Sequence, residues 1–253
     1  MDNLPKVSII TVVYNSRENL KKTINSIRNL NYPKLEYIII DGGSDDGSVE
    51  IIKNNLDIID KWISESDKGI YDAMNKGINL ATGEYLWFIN AGDEVSDSNI
   101  LNEIFIKNNF SNADVIYGDT ELVDSKGRSY GKRKLKRPPK NLSWKNMIDG
   151  MIITHQALIV KKQVSVYYDL NYIYCSDIDW IIRVLKNSRK IINTNMFLCR
   201  FQLGGYSRKN TLNSLVERYK ILIKYFNPLY VILNHIKLGF KFLLHIIRYR
   251  RIL

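Results

Sequence analysis

Apolar and polar positions follow two alternating periods over the first 90 residues. Short apolar runs rich in β-branched residues are typical of buried parallel strands, and each is followed by a segment in which apolar residues recur every three or four positions, as in an amphipathic helix. The predicted strands are Val7–Val13, Leu35–Ile40, Lys61–Ser64 and Glu84–Ile89, and the predicted helices cover Arg17–Leu30, the segment around Val49–Ile52 and Ile70–Ala81. Because strands that alternate with helices build right-handed βαβ units, the pattern predicts an α/β fold with a mostly parallel sheet flanked by helices.

Beyond residue 110 the pattern becomes less regular. The predicted elements are strands at Asp114–Gly118, Glu121–Asp124, Arg128–Lys132 and Ile152–Val160, and a helix at Ser176–Leu185. Pro138-Pro139 interrupts the chain, and the sequence contains no internal repeat or low-complexity linker. We therefore predict one α/β domain over residues 1–207, with halves at 1–110 and 111–207, followed by a helical tail over 208–253.

The tail carries most of the excess positive charge. The formal net charge is +11, and residues 205–253 contain ten Lys or Arg and one acid. Asn227-Pro228 is a favourable helix start, with Asn as the cap and Pro at the first helical position. The apolar residues that follow at helical spacing are Leu229, Ile232, Leu233, Ile236, Phe240, Leu243, Leu244 and Ile247, and the polar stripe beside them is Lys237, Lys241, His245 and Arg248. This basic amphipathic helix is expected to lie in a membrane interface, or else to pack on the domain or on a second subunit in a homodimer.

Composition excludes several classes of protein. A chain that is 45% hydrophobic and 25% charged forms a globular core, and two cysteines provide no disulfide framework, which favours a reducing compartment. No run of 18 apolar residues predicts a transmembrane span, and Met1–Lys6 leads into a strand rather than a signal peptide. Lys126–Lys140 holds eight basic residues, yet nothing resembles a nucleic-acid-binding module. We read this run as a solvated hairpin or as a contact for a phosphate-bearing acceptor or membrane.

Polar residues collect where three predicted strands end. The first strand is followed by Tyr14-Asn15-Ser16, the second by Asp41–Gly47, and the fourth by Asn90–Glu94. A single polar segment after a strand is usually only a turn, because Gly, Asn and Asp readily adopt the backbone conformations that turns require. Ligands of open α/β sheets bind beyond the carboxyl ends of the strands, so three polar ends at one edge indicate a site.

Two of these segments suit particular ligand groups. Asp41–Gly47 matches neither the dinucleotide fingerprint nor a Walker A motif, but a carboxylate at Asp41 can accept hydrogen bonds from the edge of a base. Ser44 is also a candidate cap for the next helix. Asn90–Asp93 offers oxygen atoms for a hard divalent cation that bridges to phosphate, and its alternative role is an Asx turn.

An ordered set of motifs resembles the family 2 glycosyltransferases, which have the GT-A (nucleotide-diphospho-sugar transferase) fold. The motifs are VSIITVVYN at 7–15, DGGSDDG at 41–47, SDKGIYDAMNKG at 66–77, FINAGD at 88–93, HQA at 155–157, SDIDW at 176–180 and GGYS at 204–207. The chain is most similar to the bacterial polysaccharide-assembly branch of the colanic-acid type, and the resemblance covers about residues 1–207.

The resemblance implies inverting transfer of a sugar from a nucleotide-diphospho-sugar, with UDP favoured, to an acceptor hydroxyl. Residues 1–110 are then the nucleotide-binding half, and residues 111–207 are the acceptor and catalytic half. The implied nucleotide-sugar contacts are Thr11, Tyr14, Asn15, Asp41, Gly43, Ser44, Lys68, Asp72, Asn75, Asn90 and Ala91. The family's D-x-D metal motif reads Asn90-Ala91-Gly92 here, so Asp93 is the one carboxylate expected to bind Mg²⁺ or Mn²⁺, and metal dependence is expected to be weak.

The same resemblance places Asp177 at the acid of a downstream E-D motif and implies general-base catalysis on the acceptor hydroxyl. Asp179 lies two residues away and cannot share its helix face, so one of the pair is expected to point into the site and the other to be satisfied at the helix N-terminus. Contacts with the acceptor or diphosphate are assigned to His155, Gln156, Asp179 and Tyr206, with residues 204–207 as a loop that closes over the donor.

These expectations define a glycosyltransferase at the cytoplasmic face of the membrane that builds a surface polysaccharide or its lipid-linked precursor. Its partners are then a nucleotide-sugar donor and a glycan or lipid-linked glycan acceptor. Two alternatives remain at this point: sugar transfer to a polyprenyl phosphate, and a nucleotide-sugar-binding protein without catalysis.

Overall fold

The structure is a computed structural model that describes residues 4–124, 126–133, 137–203 and 211–249. Within the last of these ranges, the side chains at positions 211, 241–243 and 245–249 are not described. The polar stripe predicted for the tail therefore falls largely outside the described side chains, with Lys237 as its exposed member inside them.

The N-terminal half forms a parallel sheet with helices on its faces. Its strands are β1 (Val7–Val13), β2 (Leu35–Asp41), β3 (Lys61–Ser64) and β4 (Tyr85–Phe88), and its helices are α1 (Arg17–Arg28), α2 (Ser48–Lys53) and α3 (Ile70–Leu80). The strand order is β3-β2-β1-β4, with every neighbouring pair parallel. The βαβ pattern read from the hydrophobic periods is confirmed, because the apolar runs are buried on both faces, as crossover helices require.

The C-terminal half extends the same sheet with mixed strand directions. Its strands are β5 (Glu94–Val95), β6 (Val115–Val123), β7 (Ser129–Lys132), β8 (Leu158–Lys161) and β9 (Ile191–Gln202). The order continues β4-β8-β6-β9-β5, with β7 paired to β6. β8 is antiparallel to β4 and β6, whereas β6 and β9 are parallel. The helices of this half and the tail are α4 (Ile100–Asn102, continued by a π-helical turn at Glu103–Lys107), α5 (Ser176–Asn187), α6 (Thr211–Tyr225) and α7 (Pro228–Tyr249).

Two strand predictions in this half are wrong. The segments predicted at 114–118 and 121–124 are one continuous strand, because Gly118 lets β9 approach so closely that an added Cβ would lie 2.4 Å from the carbonyl oxygen of Met196. The strand predicted over 152–160 begins only at Leu158. A 3₁₀ turn at His155–Ala157 precedes it, because the polar side chains of this segment bond to neighbours in a cleft instead of extending a ladder.

Helix α6 belongs to the hydrophobic core of the domain. Ile221 and Leu222 are fully buried, as is Val231 at the start of α7. The carboxylate of Glu217 accepts backbone N–H groups from Ile173, Tyr174 and Cys175 at 2.6–2.7 Å, which fixes the loop before α5. The domain boundary proposed at residue 207 stays a prediction, but α6 packs as a continuous part of the fold.

Helix α7 starts as its sequence predicts and then leaves much of its apolar surface exposed. Asn227 Oδ1 accepts the Leu229 N–H at 2.9 Å, with Pro228 at the first helical position. Asn234 Nδ2 donates to Ile148 O at 3.0 Å and to Asp149 Oδ1 at 2.9 Å, which anchors the first turns. Within the described part of the chain, no helix combines the length and apolar character needed to cross a bilayer.

Candidate active site

A cleft of about 660 Å³ opens at the carboxyl end of β4. Its lining includes the start of α1, the start of α3, the turn after β4, the 3₁₀ turn at His155–Ala157, and the N-terminus of α5 with the loop before it. Arg133, Met151 and residues 201–203 at the end of β9 also line it. Helix α6 closes one side. The segments after β1 and β4 therefore bring polar residues to a cavity large enough for a small-molecule ligand, as expected at the carboxyl edge of an α/β sheet, whereas Asp41–Gly47 after β2 is not part of its lining.

The turn after β4 is fixed to helix α1. Thr23 Oγ1 donates to Asp93 O at 2.7 Å and accepts the Gly92 N–H at 3.0 Å, and the Asp93 N–H donates to Asn90 O at 2.9 Å. Gly92 has φ +103°, a conformation that favours glycine. The segment is thus both a tight turn and one wall of the cleft, so the two roles considered for it coexist.

Asp93 lies under the cleft wall with 6% of its surface exposed. Its Oδ2 accepts Gln156 Nε2 at 2.6 Å, and its Oδ1 accepts the Gln202 N–H at 3.3 Å. Burial raises the pKa of Asp93 to about 6, against hydrogen bonds from Gln156 and Gln202 that lower it. Both carboxylate oxygens are therefore used by uncharged donors of the protein.

His155 lies between Asn90 and Asp177. Its Nε2 is 3.1 Å from Asn90 Nδ2 and its Nδ1 is 3.7 Å from Asp177 Oδ2. Because the Asn90 amide nitrogen can only donate, Nε2 accepts and Nδ1 carries the proton that faces the Asp177 carboxylate. Asn90 Oδ1, His155 Nδ1 and Gln156 Oε1 are buried without a hydrogen-bond partner in the described residues, which marks this wall as a place for a polar ligand.

Asp177 begins helix α5 and reaches the cleft. Its Oδ1 accepts the Ile178 N–H at 2.9 Å, and its side chain is 17% exposed. Burial strongly raises the pKa of the neighbouring Tyr71 hydroxyl, and the charge of Asp177 adds to that rise. Tyr71, in the first turn of α3, therefore stays a neutral phenol where it lines the cleft. One carboxylate oxygen of Asp177 is thus oriented by the backbone while the other faces His155.

Asp179 does not line the cleft, which corrects its assignment to acceptor or diphosphate contact. It is fully buried and accepts hydrogen bonds from Arg183 Nε at 2.6 Å, Lys224 Nζ at 3.1 Å and Tyr225 Oη at 2.6 Å. Burial opposes its charge, but these bonds outweigh burial and lower the pKa of Asp179. Side chains of α5 and α6, rather than the helix N-terminus, satisfy it.

The ends of β1 and β2 are bound to each other. Asp41 is fully buried and accepts the N–H groups of Gly43 and Ser44 and the hydroxyls of Ser44 and Ser64. The Asn15 N–H donates to Ser44 Oγ at 2.8 Å, so Ser44 braces this edge rather than capping α2, whose N-cap is Gly47. The structure therefore uses the Asp41 carboxylate to hold the loop.

Two other predicted contacts near this edge differ in exposure. Thr11 is fully buried and donates to Ile89 O at 2.7 Å, whereas Tyr14 is 65% exposed. Tyr14 thus offers a ring to a ligand, while Thr11 lies beneath the surface and holds β1 to the end of β4.

The α3 residues predicted near a nucleotide serve mainly local structure. Asp72 accepts the Lys68 N–H at 3.1 Å at the helix start, and the Lys68 side chain is exposed. Asn75 donates to Tyr168 O at 2.9 Å and accepts the Tyr168 N–H at 2.7 Å, so it joins α3 to the segment before α5. Tyr206 and the loop at 204–207 lie outside the described residues.

The fold and the position of the cleft agree with those expected from the ordered motifs. Residues 8–167 also match the family model described as glycosyl transferase family 2. The chain is a family 2 glycosyltransferase. An uncharacterized glycosyltransferase of Mycobacterium tuberculosis strain H37Rv is 30% identical over 220 residues, which cover 81% of this chain and 78% of that one.

Solved structures support the fold of this glycosyltransferase. Staphylococcus aureus TarS 1-349 in complex with UDP-GlcNAc superimposes with a TM-score of 0.68 at 15% identity, covering 89% of this chain and 69% of that one. The mannosyltransferase PcManGT of Pyrobaculum calidifontis, in complex with GDP-Man and Mn²⁺, gives a TM-score of 0.64 at 15% identity, covering 93% and 69%. The predicted GT-A fold is confirmed by these similarities.

Sequence reasoning missed two cationic residues of the glycosyltransferase cleft. Two arginines line the cavity: Arg133, in the middle of the basic run considered as a solvated hairpin, and Arg218 of α6. The run of basic residues was a signal for Arg133, but α6 gives no local sign that Arg218 faces a cleft. Only the packing of α6 against the loop before α5 places it there.

The oxygen ligands that the described residues of the glycosyltransferase offer at this wall fit a divalent cation poorly. Gly92 stands where the D-x-D motif has its second acid, and both oxygens of Asp93 accept hydrogen bonds from the protein. Over the described ranges, His, Cys, Asp and Glu side chains form no group of three that could hold a metal ion. Hard cations prefer several carboxylate or carbonyl oxygens, a set that this wall of the cleft does not assemble.

Proposed function

We propose that this family 2 glycosyltransferase inverts the anomeric centre as it moves a sugar from a nucleotide-diphospho-sugar to an acceptor hydroxyl, with Asp177 as the general base. The observation that carries the proposal is the position of Asp177, which reaches the cleft from the N-terminus of α5 with one oxygen held by Ile178 and the other facing His155. A carboxylate oriented in this way can accept a proton from a bound hydroxyl.

The reaction needs one base and one leaving group. The acceptor O–H proton passes to Asp177 as the acceptor oxygen bonds to the anomeric carbon, and the bond from that carbon to the diphosphate oxygen breaks on the opposite face. Of the two described carboxylates that line the cleft, Asp93 is buried and hydrogen-bonded through both oxygens. Asp177 is therefore the carboxylate available to an acceptor.

The donor is proposed to bind between the ends of β1 and β2 and the turn after β4, with Tyr14, Asn90 and Ala91 among its contacts. Exposed Tyr14 offers a face on which a base can stack. TarS binds UDP-GlcNAc and PcManGT binds GDP-Man, and both share this fold. We favour UDP as the nucleotide and a polysaccharide or lipid-linked glycan as the acceptor.

We propose that α7 binds a membrane surface and that the enzyme reaches its acceptor there. Leu229, Ile236 and Phe240 are 64–65% exposed on this helix, and the tail carries the excess of positive charge. A helix with an exposed apolar face and adjacent cations suits an anionic bilayer interface. This feature also supports the second candidate reaction, transfer to a polyprenyl phosphate, whose product would partition into organic solvent.

Sedimentation with anionic phosphatidylglycerol vesicles tests the membrane contact. The double variant Ile236→Ser/Phe240→Ser is expected to remain in the supernatant while the wild type pellets, and Leu56→Ser, an exposed leucine remote from α7, is the matched control. If the double variant pellets like the wild type, or if the wild type stays in solution as a homodimer, the membrane contact is wrong.

Substitution of Asp177 tests the base. Asp177→Asn keeps an oxygen that can accept the Ile178 N–H, so the fold and nucleotide affinity are expected to stay within about twofold. Removing a general base is expected to lower kcat by about 10²–10⁴-fold. Glu50→Gln, an exposed acid on α2, is the control for loss of charge. Turnover by Asp177→Asn at the wild-type rate would refute the assignment.

A further inference from the structure

We infer that Arg133 and Arg218 bind the diphosphate of the donor and supply the positive charge that a divalent cation supplies at a complete D-x-D motif. This inference rests on the proposed function, because it names the groups that hold the leaving nucleotide in the same cleft. It follows from two guanidinium groups that line the cavity without carboxylate partners among the described residues, and from a turn that lacks the second acid of the motif.

Arg133 follows directly on β7 and is half-buried. Its Nη1 donates to Met151 O at 3.2 Å, and no carboxylate of the described residues lies within 4 Å of it. Burial lowers the pKa of Arg133, although the nearby charge of Asp177 works in the opposite direction. A partly desolvated guanidinium that has no paired carboxylate among the described residues is costly in the ligand-free protein, and an anion in the cleft removes that cost.

Arg218, in helix α6, also lacks a carboxylate partner among the described residues. Its Nε is buried and has no hydrogen-bond partner in the described parts of the chain, although the side chain lines the cleft. The adjacent acid, Glu217, is not its partner, because its carboxylate accepts the backbone N–H groups of the loop before α5. Arg218 therefore presents unused donors to the same cavity as Arg133.

The charges that line the cleft favour an anionic ligand. They are two guanidinium groups, Arg133 and Arg218, and two carboxylates, Asp93 and Asp177. Both oxygens of Asp93 already accept hydrogen bonds from Gln156 and Gln202, whereas neither guanidinium has a carboxylate partner among the described residues, so the groups left available to a ligand include two cations. The planar donor fork of arginine matches the oxygens of a phosphate group in pairs, so a diphosphate satisfies both side chains.

Calorimetric titration with inorganic pyrophosphate and with UDP, in buffer containing EDTA, tests the inference. Wild type is expected to bind both without metal. Arg133→Gln and Arg218→Gln are each expected to weaken binding by about 10- to 100-fold, the range for a hydrogen bond to a charged group. Arg189→Gln, an exposed arginine whose side chain has no described partner, is expected to bind like the wild type.

Charge-conserving variants keep the test decisive if a glutamine variant does not fold. Arg133→Lys and Arg218→Lys retain the cation but not the fork, so each is expected to recover part of the lost affinity for pyrophosphate. Pyrophosphate binding that vanishes in EDTA and returns only with Mn²⁺ would overturn the inference. Unchanged affinity in both glutamine variants would also overturn it.

The two proposals fail in different ways. If the wild type turns over a nucleotide sugar only with Mn²⁺ and the arginine variants match it, the arginine site is wrong and the proposed transfer stands. If pyrophosphate binding depends on both arginines but no nucleotide sugar is turned over, the anion site stands and the proposed transfer is wrong.

Discussion

Asp93→Asn replaces a buried acid by its neutral isostere and is expected to gain stability relative to the wild type as pH rises. The folded protein holds the pKa of Asp93 at about 6 through burial, above its ordinary value of 3.8. A raised pKa means that the folded state keeps the proton longer than the unfolded chain. The contribution of Asp93 to the free energy of unfolding is therefore most favourable below about pH 4, and it is lost as pH rises through about 6.

The size of the effect follows from the two pKa values. A difference of about 2 units corresponds to roughly 3 kcal/mol at 1.36 kcal/mol per unit, and exposure of 6% leaves little screening by solvent. The neutral amide can keep the network, because Gln156 Oε1 has no described partner and can accept its N–H after the Gln156 amide turns over. Asp93→Asn is thus expected to gain on the wild type by up to about 3 kcal/mol between pH 4 and pH 7.

Urea unfolding of both proteins at half-unit pH intervals from 4 to 8, in EDTA, measures this difference. Subtracting the two free energies of unfolding cancels the other titrating groups, which the proteins share. Glu50→Gln, at an exposed site, is expected to show a difference from the wild type that hardly changes with pH. A constant difference between the wild type and Asp93→Asn over this range would show that burial does not hold the proton on Asp93.

Three further predictions probe the fold and the site. Gly77→Ala would place a Cβ 2.4 Å from Ile10 Cγ2 and is expected to destabilise the protein by about 1–2 kcal/mol in thermal or urea unfolding. Gly239→Ala, at a position with open space around it, is the control and is expected to be neutral or stabilising. Equal effects of the two substitutions would contradict the packing argument. Glu36 is buried with Lys61 Nζ at 3.0 Å and the Thr82 N–H at 2.7 Å; burial opposes its ionisation, but hydrogen bonds from Ser8, Thr82 and Lys61 lower its pKa. Its contribution is therefore present above its ordinary pKa of 4.5 and lost as pH falls, so Glu36→Gln should cost about 2–4 kcal/mol at pH 7 and less in acid, and an equal cost at pH 3 and pH 7 would refute this. His155→Gln is expected to lower kcat by up to about 100-fold with little change in nucleotide affinity, because the imidazole faces the proposed base, with Nδ1 3.7 Å from Asp177 Oδ2. A change confined to KM would instead place His155 in donor binding.

Local patterns predicted the N-terminal half well because they coincide with burial. Val7–Val13 is buried at every position and has the apolar, β-branched composition that a doubly covered parallel strand requires. The same reasoning failed at β9, which runs from Ile191 to Gln202 with mostly half-buried residues and shows no clean alternation. β5 is two residues long and exists through its pairing with β9, so no local signal marks it.

The candidate site was predicted in part, through short motifs that are each recognisable on their own. Asp177, His155 and Asn90 were singled out from three segments, and the sheet brings them to one wall. Asp179 could not be separated from Asp177 in advance, because its partners Lys224 and Tyr225 come from a helix whose packing is tertiary. Arg218 was missed for the same reason.

The anomeric configuration of the product tests the central claim most directly. Proton NMR of the first-formed product from an α-linked UDP-sugar, compared between the wild type and Asp177→Asn, reports both the stereochemistry and the need for the base. We expect a β-configured product from the wild type and almost none from the variant. An α-configured product, or equal yields from the two proteins, would contradict inverting transfer with Asp177 as its base.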